Sequence, residues 1–179
     1  MKKITKGFTL IELLIVIALL GVLAVALLAA LDPLEQIKKG NDTGVRNTVT
    51  EIQSAIVRYT SLQGGEMPFS GTLPFGAIGT VTSVPAYSAL QAVINQGELK
   101  SDFAALAGKQ LDSVFITGIN DTASGTQTVS VCYAPTAKSF KADVNTKFSH
   151  VTDGTMDEGN GCPNASGTIP AGACYWCVR

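Results

Sequence analysis

Four cysteines, an acidic glycine-rich loop, a single histidine and one glutamate inside an apolar run are the residues of this chain whose types could do chemistry. The cysteines lie late, at 132, 162, 174 and 177. Cys174-Tyr175-Trp176-Cys177 has the spacing of a dithiol redox pair or of half a zinc site, and four thiolates together would make a tetrahedral zinc set. A thioredoxin-type dithiol needs a strand-to-helix turn in a βαβ unit, however, and this motif lies two residues before the end of the sequence. Read as a strand, residues three apart face opposite sides, which argues for different partners. Four cysteines allow three pairings. The expected one joins Cys132 to Cys177, stapling the last strand to the sheet, and Cys162 to Cys174, closing the loop from Pro163 to Ala173. On the loop-entropy model a span of that length stabilises by roughly 3 kcal/mol.

Asp153, Asp157, Glu158 and Asn160 supply the hard oxygen atoms that calcium prefers. Their spacing matches no regular calcium loop, so they read first as a solvated turn and only weakly as a calcium site. His150 is the one histidine, and a lone histidine makes neither a triad nor a metal cluster; it is assigned a structural or surface role. Asn41, Asn120 and Asn164 each begin an N-x-[ST] match, a pattern frequent by chance, and carry no weight. The expectation is a protein with no catalytic residues, no cofactor and no firm metal site.

Glu12 is different, because of where it stands. Counting from Phe8, only Thr9 and Glu12 interrupt an apolar stretch that runs to Leu31, with every residue from Leu13 to Leu31 apolar or glycine. Twenty-four helical residues rise roughly 36 Å, against a hydrocarbon core of roughly 30 Å. The run is too long for an ordinary secretory signal, whose apolar region is about 7–15 residues, although Ala29 and Ala30 would suit its small-residue cleavage site. A carboxylate at the centre of such a helix costs about 2.5–3.5 kcal/mol on insertion scales and less near its end. Snorkelling to the interface is the bland reading of Glu12, and a functional role is the default for an acid in a membrane segment.

The order Lys6-Gly7-Phe8-Thr9-Leu10-Ile11-Glu12, behind Lys2 and Lys3, resembles the type IV pilin superfamily. Its prepilins carry a short basic leader ending in glycine, then phenylalanine, then a hydrophobic stretch with glutamate four residues further on. The resemblance covers about the first thirty residues. It implies cleavage between Gly7 and Phe8 by a membrane-embedded prepilin peptidase, N-methylation of Phe8, and retention of the apolar helix in the mature subunit. A glycine without a side chain lets the backbone enter a narrow protease groove, and the leader lysines keep that end in the cytoplasm. Everything after Asp32 would then lie outside. Cleavage leaves an ammonium at Phe8, for which Glu12 is the available counter-charge, on its own chain or, as the family implies, on a neighbour. Such pairing would set the axial register of assembly, so Phe8 and Glu12 are the expected assembly residues. The implied partners are further copies of the chain, other pilins, the peptidase, the pilus or type II secretion assembly platform, and the membrane before assembly. The implied location is the cytoplasmic membrane, single-pass, and after assembly a cell-surface filament. A pseudopilin of a type II secretion or DNA-uptake machine shares this N-terminus and is the alternative, with a monomeric membrane-anchored binding or redox protein behind it.

The 179 residues are 46% hydrophobic and 15% charged, with 13 basic and 14 acidic side chains. Loss of the three leader lysines leaves 10 basic residues and a net charge of −4. With no basic stripe to track phosphates, strong nucleic-acid binding is not expected.

The scaffold for these residues is read from pattern. The resemblance implies an α+β pilin fold, a long N-terminal helix packed on a C-terminal antiparallel sheet. The segments are a leader at 1–7, a membrane or filament-core helix at 8–31, its amphipathic continuation at 32–62, and a head at 63–179. Asp32-Pro33 reads as N-cap and first-turn proline with Glu35 behind, and a kink is expected there. Ile37, Val45, Val49, Ile52, Ile56 and Tyr59 recur at helical spacing, but Gly40-Asn41-Asp42-Thr43-Gly44 predicts a bend or local melting. Gly64-Gly65 with Pro68 closes the helix, and 63–110 reads as a connector with a short helix at 87–94. Within 111–179, residues 114–117 and 126–133 read as strands around a turn, and Ser139–Val144 as a further alternating segment before the disulfide-closed loop.

Overall fold

The computed structural model describes residues 7–30, 32–79, 84–121, 123–149, 157–158, 162 and 174–179. The chain divides into two compact units, residues 1–37 and 38–179. The architecture is α+β, as expected.

Helix α1 (Leu10–Ala30) belongs to the first unit. Its residues from Leu10 to Ala29 are long and apolar enough to cross a membrane, by length and composition. All of its described side chains are exposed. Helix α2 (Pro33–Leu62) starts as its sequence predicts, with the Glu35 amide donating to Asp32 Oδ1 at 3.3 Å. It is unbroken from Pro33 to Leu62, so Gly40–Gly44 are helical and not locally melted. The five residues from Gly40 to Gly44 together cost roughly 4 kcal/mol of helix propensity relative to alanine, and something outside the local sequence must offset that. Ile37, expected on the apolar face, is exposed.

In the second unit, Val45, Val49, Ile52, Ala55 and Ile56 of α2 are buried at spacings of three and four. They join one core with Val114 and Ile116 of β2 (Val114–Asp121), and Val129, Val131 and Tyr133 of β3 (Thr126–Tyr133). Helix α3 (Val84–Asn95) adds Ala89, Leu90 and Val93. The Arg58 guanidinium binds the Glu98 carboxylate at 2.8 Å and the Glu98 carbonyl at 3.0 Å, tying α2 to the turn after α3.

The sheet is antiparallel, in the order β1-β2-β3-β6. Strand β1 (Gly71–Ala77) forms one edge and β6 (Trp176–Val178) the other. β1 falls in the stretch read as connector, so the sheet begins well before the first strand expected from sequence, at 114–117. Its pairing with β2 shifts between Leu73 and Gly76, around Pro74, which has no amide hydrogen for a ladder. The β2–β3 hairpin forms where its two strand patterns flank a turn, with Asp121 Oδ1 accepting from the Ala123 amide at 3.0 Å. Gly118 in β2 is required by close approach: a Cβ there would lie 2.5 Å from the Thr128 carbonyl oxygen and 2.7 Å from the Phe69 ring.

A short helix α4 (Phe103–Ala107) and a 3-10 turn (Gly108–Ser113) lead into β2. The alternating segment 139–144 is not a strand: it holds the one-turn helix α5 (Lys138–Lys141), and Val144 is exposed. Strands β4 (Phe148–Ser149) and β5 (Asp157–Glu158) pair separately.

Candidate processing and assembly site

Thr9 lies immediately before α1, and Glu12 is the third residue of that helix. The Thr9 amide donates to Glu12 Oε2 at 3.0 Å, and the Glu12 amide donates to Thr9 Oγ1 at 3.3 Å. The Thr9 hydroxyl adds a third bond, donating to Glu12 Oε2 at 2.9 Å. This reciprocal arrangement is a capping box, in which two orphan donors of the first turn are satisfied by the two side chains. Phe8 precedes it with 82% of its surface exposed, and a Cβ at Gly7 would meet nothing within 4 Å. Gly7, Phe8 and Glu12 therefore sit together at one exposed helix entry, with Glu12 held by Thr9. Thr9 was not singled out from sequence, although Thr-x-x-Glu before an apolar run is a helix-start signature that would have found it.

The cysteines pair as Cys132–Cys177 and Cys162–Cys174, and no cysteine is free. Cys132 and Cys177 are directly opposite one another on β3 and β6. With both thiols of Cys174-Tyr175-Trp176-Cys177 committed to bridges, this motif offers neither a dithiol nor a thiolate set.

Of the weak calcium candidates, Asp153 and Asn160 lie outside the described residues, as does His150. Asp157 and Glu158 form β5, and the Glu158 carboxylate meets Lys147 at 3.1 Å and Arg179 at 3.9 Å. Among the described residues no group of three or more acidic, histidine or cysteine side chains could hold a metal.

A second polar cluster joins α2 to the segment after β3. Asp42, only 3% exposed, accepts from the Thr136 amide, the Thr136 hydroxyl and the Ala137 amide at 2.8–3.2 Å. One turn along, the Arg46 guanidinium lies 4.5 Å from the centres of both the Phe140 and Trp176 rings and pairs with Asp143 at 3.1 Å. The Asn145 amide, with Arg46 beside it, holds the Asp143 carboxyl below its ordinary range against the opposing effect of burial. Burial pushes the neighbouring Tyr133 phenol up, with the Arg46 guanidinium opposing. No periodicity marks Asp42 or Arg46, because their partners lie 94 and 97 residues away in sequence.

A family model described as the prokaryotic N-terminal methylation motif matches residues 2–28. The chain carries the class III signal peptide of type IV pilins and pseudopilins. This pilin-type N-terminus comprises the leader, the capping box and nearly all of α1, and none of the second unit. Residues 2–28 therefore have the N-terminus of a pilin-like or pseudopilin precursor, and the helix they run into is long and apolar enough to cross a membrane. No curated protein and no solved structure matches it significantly.

Proposed function

We propose that the chain is a structural subunit that is cleaved after Gly7, N-methylated at Phe8 and polymerised through its apolar helix into a type IV pilus-like filament. The methylation motif running directly into an apolar helix carries this reading. A helix that is apolar on every side must be covered, by lipid before assembly and by helices of its own kind afterwards. The leader lysines orient it, with the second unit outside the cytoplasmic membrane and on the filament surface after assembly. Glu12 recruits and registers the incoming subunit by pairing with a Phe8 ammonium, and the prepilin peptidase and an assembly platform are the machinery it meets.

The test is the mass of the N-terminal peptide in the host's membrane and sheared-filament fractions. A chain beginning at methylated Phe8 in the sheared fraction supports a surface pilus. The same chain confined to the membrane would replace it with a pseudopilin. An intact Met1 start, or a cut near Ala30, would overturn both. Glu12→Ala should leave cleavage intact and reduce incorporation several-fold, and normal incorporation would rule out the counter-charge role.

A further inference from the structure

We propose that residues 38–44, the first turns of the second unit, form a conditional helix. The Asp42 carboxylate latches them to the strap that follows β3, and release of the strap melts them while the rest of that unit stays folded. The inference holds whether or not the chain polymerises, since it concerns contacts within one unit.

Three observations converge. Gly40-Asn41-Asp42-Thr43-Gly44 is a run of poor helix formers, and the Thr43 hydroxyl donates back to the Lys39 carbonyl at 2.8 Å, a bond that weakens helices further. Neither glycine is needed for packing. A Cβ at Gly40 would meet nothing within 4 Å, and one at Gly44 would meet only the flexible amide end of Gln110, at 3.4 Å. What the two glycines contribute here is backbone freedom. Finally, Asp42 is the one buried side chain of residues 38–44, and apolar burial along α2 begins only at Val45.

The strap, residues 134–146, is itself an ordered object. The Thr146 hydroxyl donates to the Phe140 carbonyl at 2.7 Å, and the Thr146 amide to the Asp143 carbonyl at 2.8 Å. Arg46 grips the far end of the strap through Asp143 and Phe140, from a part of α2 already anchored by core residues. Asp42 grips the near end from a part that is not. Loss of the Asp42 contact therefore frees residues 38–44 first, because no other residue among them is buried, whereas Arg46 and the core hold the helix from Val45 onward. Melting would lengthen this seven-residue stretch from about 10 Å to about 23 Å, a built-in extensible tether.

Hydrogen exchange of the full chain in detergent micelles, read by mass spectrometry, tests this. In Asp42→Ala, amides 40–45 should exchange at least tenfold faster, with 49–59 and the β2–β3 hairpin unchanged. Adding Gly40→Ala and Gly44→Ala should restore slow exchange without restoring the latch. Unchanged exchange at 40–45, or equal acceleration throughout the unit, would overturn the proposal. Should Asp42→Ala not fold, Gly40→Ala/Gly44→Ala alone should slow amides 40–45 by at least tenfold and Thr136→Val should speed them; absence of both effects would equally overturn it.

Discussion

A carboxylate in an apolar run needs donors, and Glu12 finds two on Thr9. The same contact that starts the helix keeps the acid satisfied. Thr9→Val removes the hydroxyl while keeping the shape, at a cost of about 1 kcal/mol for a lost cap. Amides 11–13 should then exchange about fivefold faster in micelles, and Thr9→Ser should behave as wild type. Two exposed or partly exposed carboxylates give the second unit an acid limit. Asp121 is held below its ordinary range by the Ser124 hydroxyl and the Ser124 and Ala123 amides, and Asp143 chiefly by the Asn145 amide. Depressed folded values mean that both stabilise above the unfolded carboxyl range near about 4, and that this contribution is lost as pH falls through the folded values. The melting temperature should therefore be level from pH 7 to about 5 and drop below about 4, with a shallower drop in Asp143→Asn. At this scale Glu12 stands out in the sequence because it is an acid in an apolar run. Asp42 was not: beside Gly40 and Gly44 it looked like one more weak helix residue, and its value rests on Thr136 and Ala137 far along the chain.

Among the elements, α1, the start and end of α2, and the β2–β3 hairpin were written in local pattern. Asp32-Pro33 opens α2, and Gly64 and Gly65, at φ of 68° and 100°, follow its last turn. Two of the misreadings have one cause. Residues 71–77 carry glycines and Pro74 and look like a connector, yet pairing with β2 makes them a strand; residues 139–144 alternate like a strand, yet Arg46 and the turn at Asp143 fold them into a helical turn. In both cases tertiary partners override weak local preference. The hairpin also depends on a residue with no side chain. Gly118→Ala would press a Cβ against the Thr128 carbonyl, which as backbone cannot swing aside, and should destabilise the unit by about 2 kcal/mol in denaturant unfolding, whereas Gly40→Ala should not destabilise it at all.

For the whole molecule, the covalent staples matter as much as the core. Cys132 and Cys177 are 45 residues apart in sequence, and Cys162 and Cys174 are 12 apart. The loop-entropy model gives about 4 kcal/mol for the first and about 3 kcal/mol for the second. Cys132→Ala/Cys177→Ala should thus lower stability more than Cys162→Ala/Cys174→Ala, and equal losses in denaturant unfolding would show that strand closure, not loop closure, governs both. The position of the cysteines beyond an apolar run, and the reading of Cys174 and Cys177 as facing opposite sides of a strand, carried information about oxidation and partners, including the staple that sets the last strand beside β3; the place of β1 at the other edge was not legible, because it depends on pairing with β2.

The β1 edge has a further consequence for life in a crowd. Subunits gathered at high density present sheet edges to one another, and a straight, fully hydrogen-bonding edge would invite a neighbour's strand and glue the copies irreversibly. Pro74 withholds a donor in mid-strand, and the register shift beside it spoils the ladder for any incoming chain. The β1 edge is thereby a poor template for a strand from a second copy.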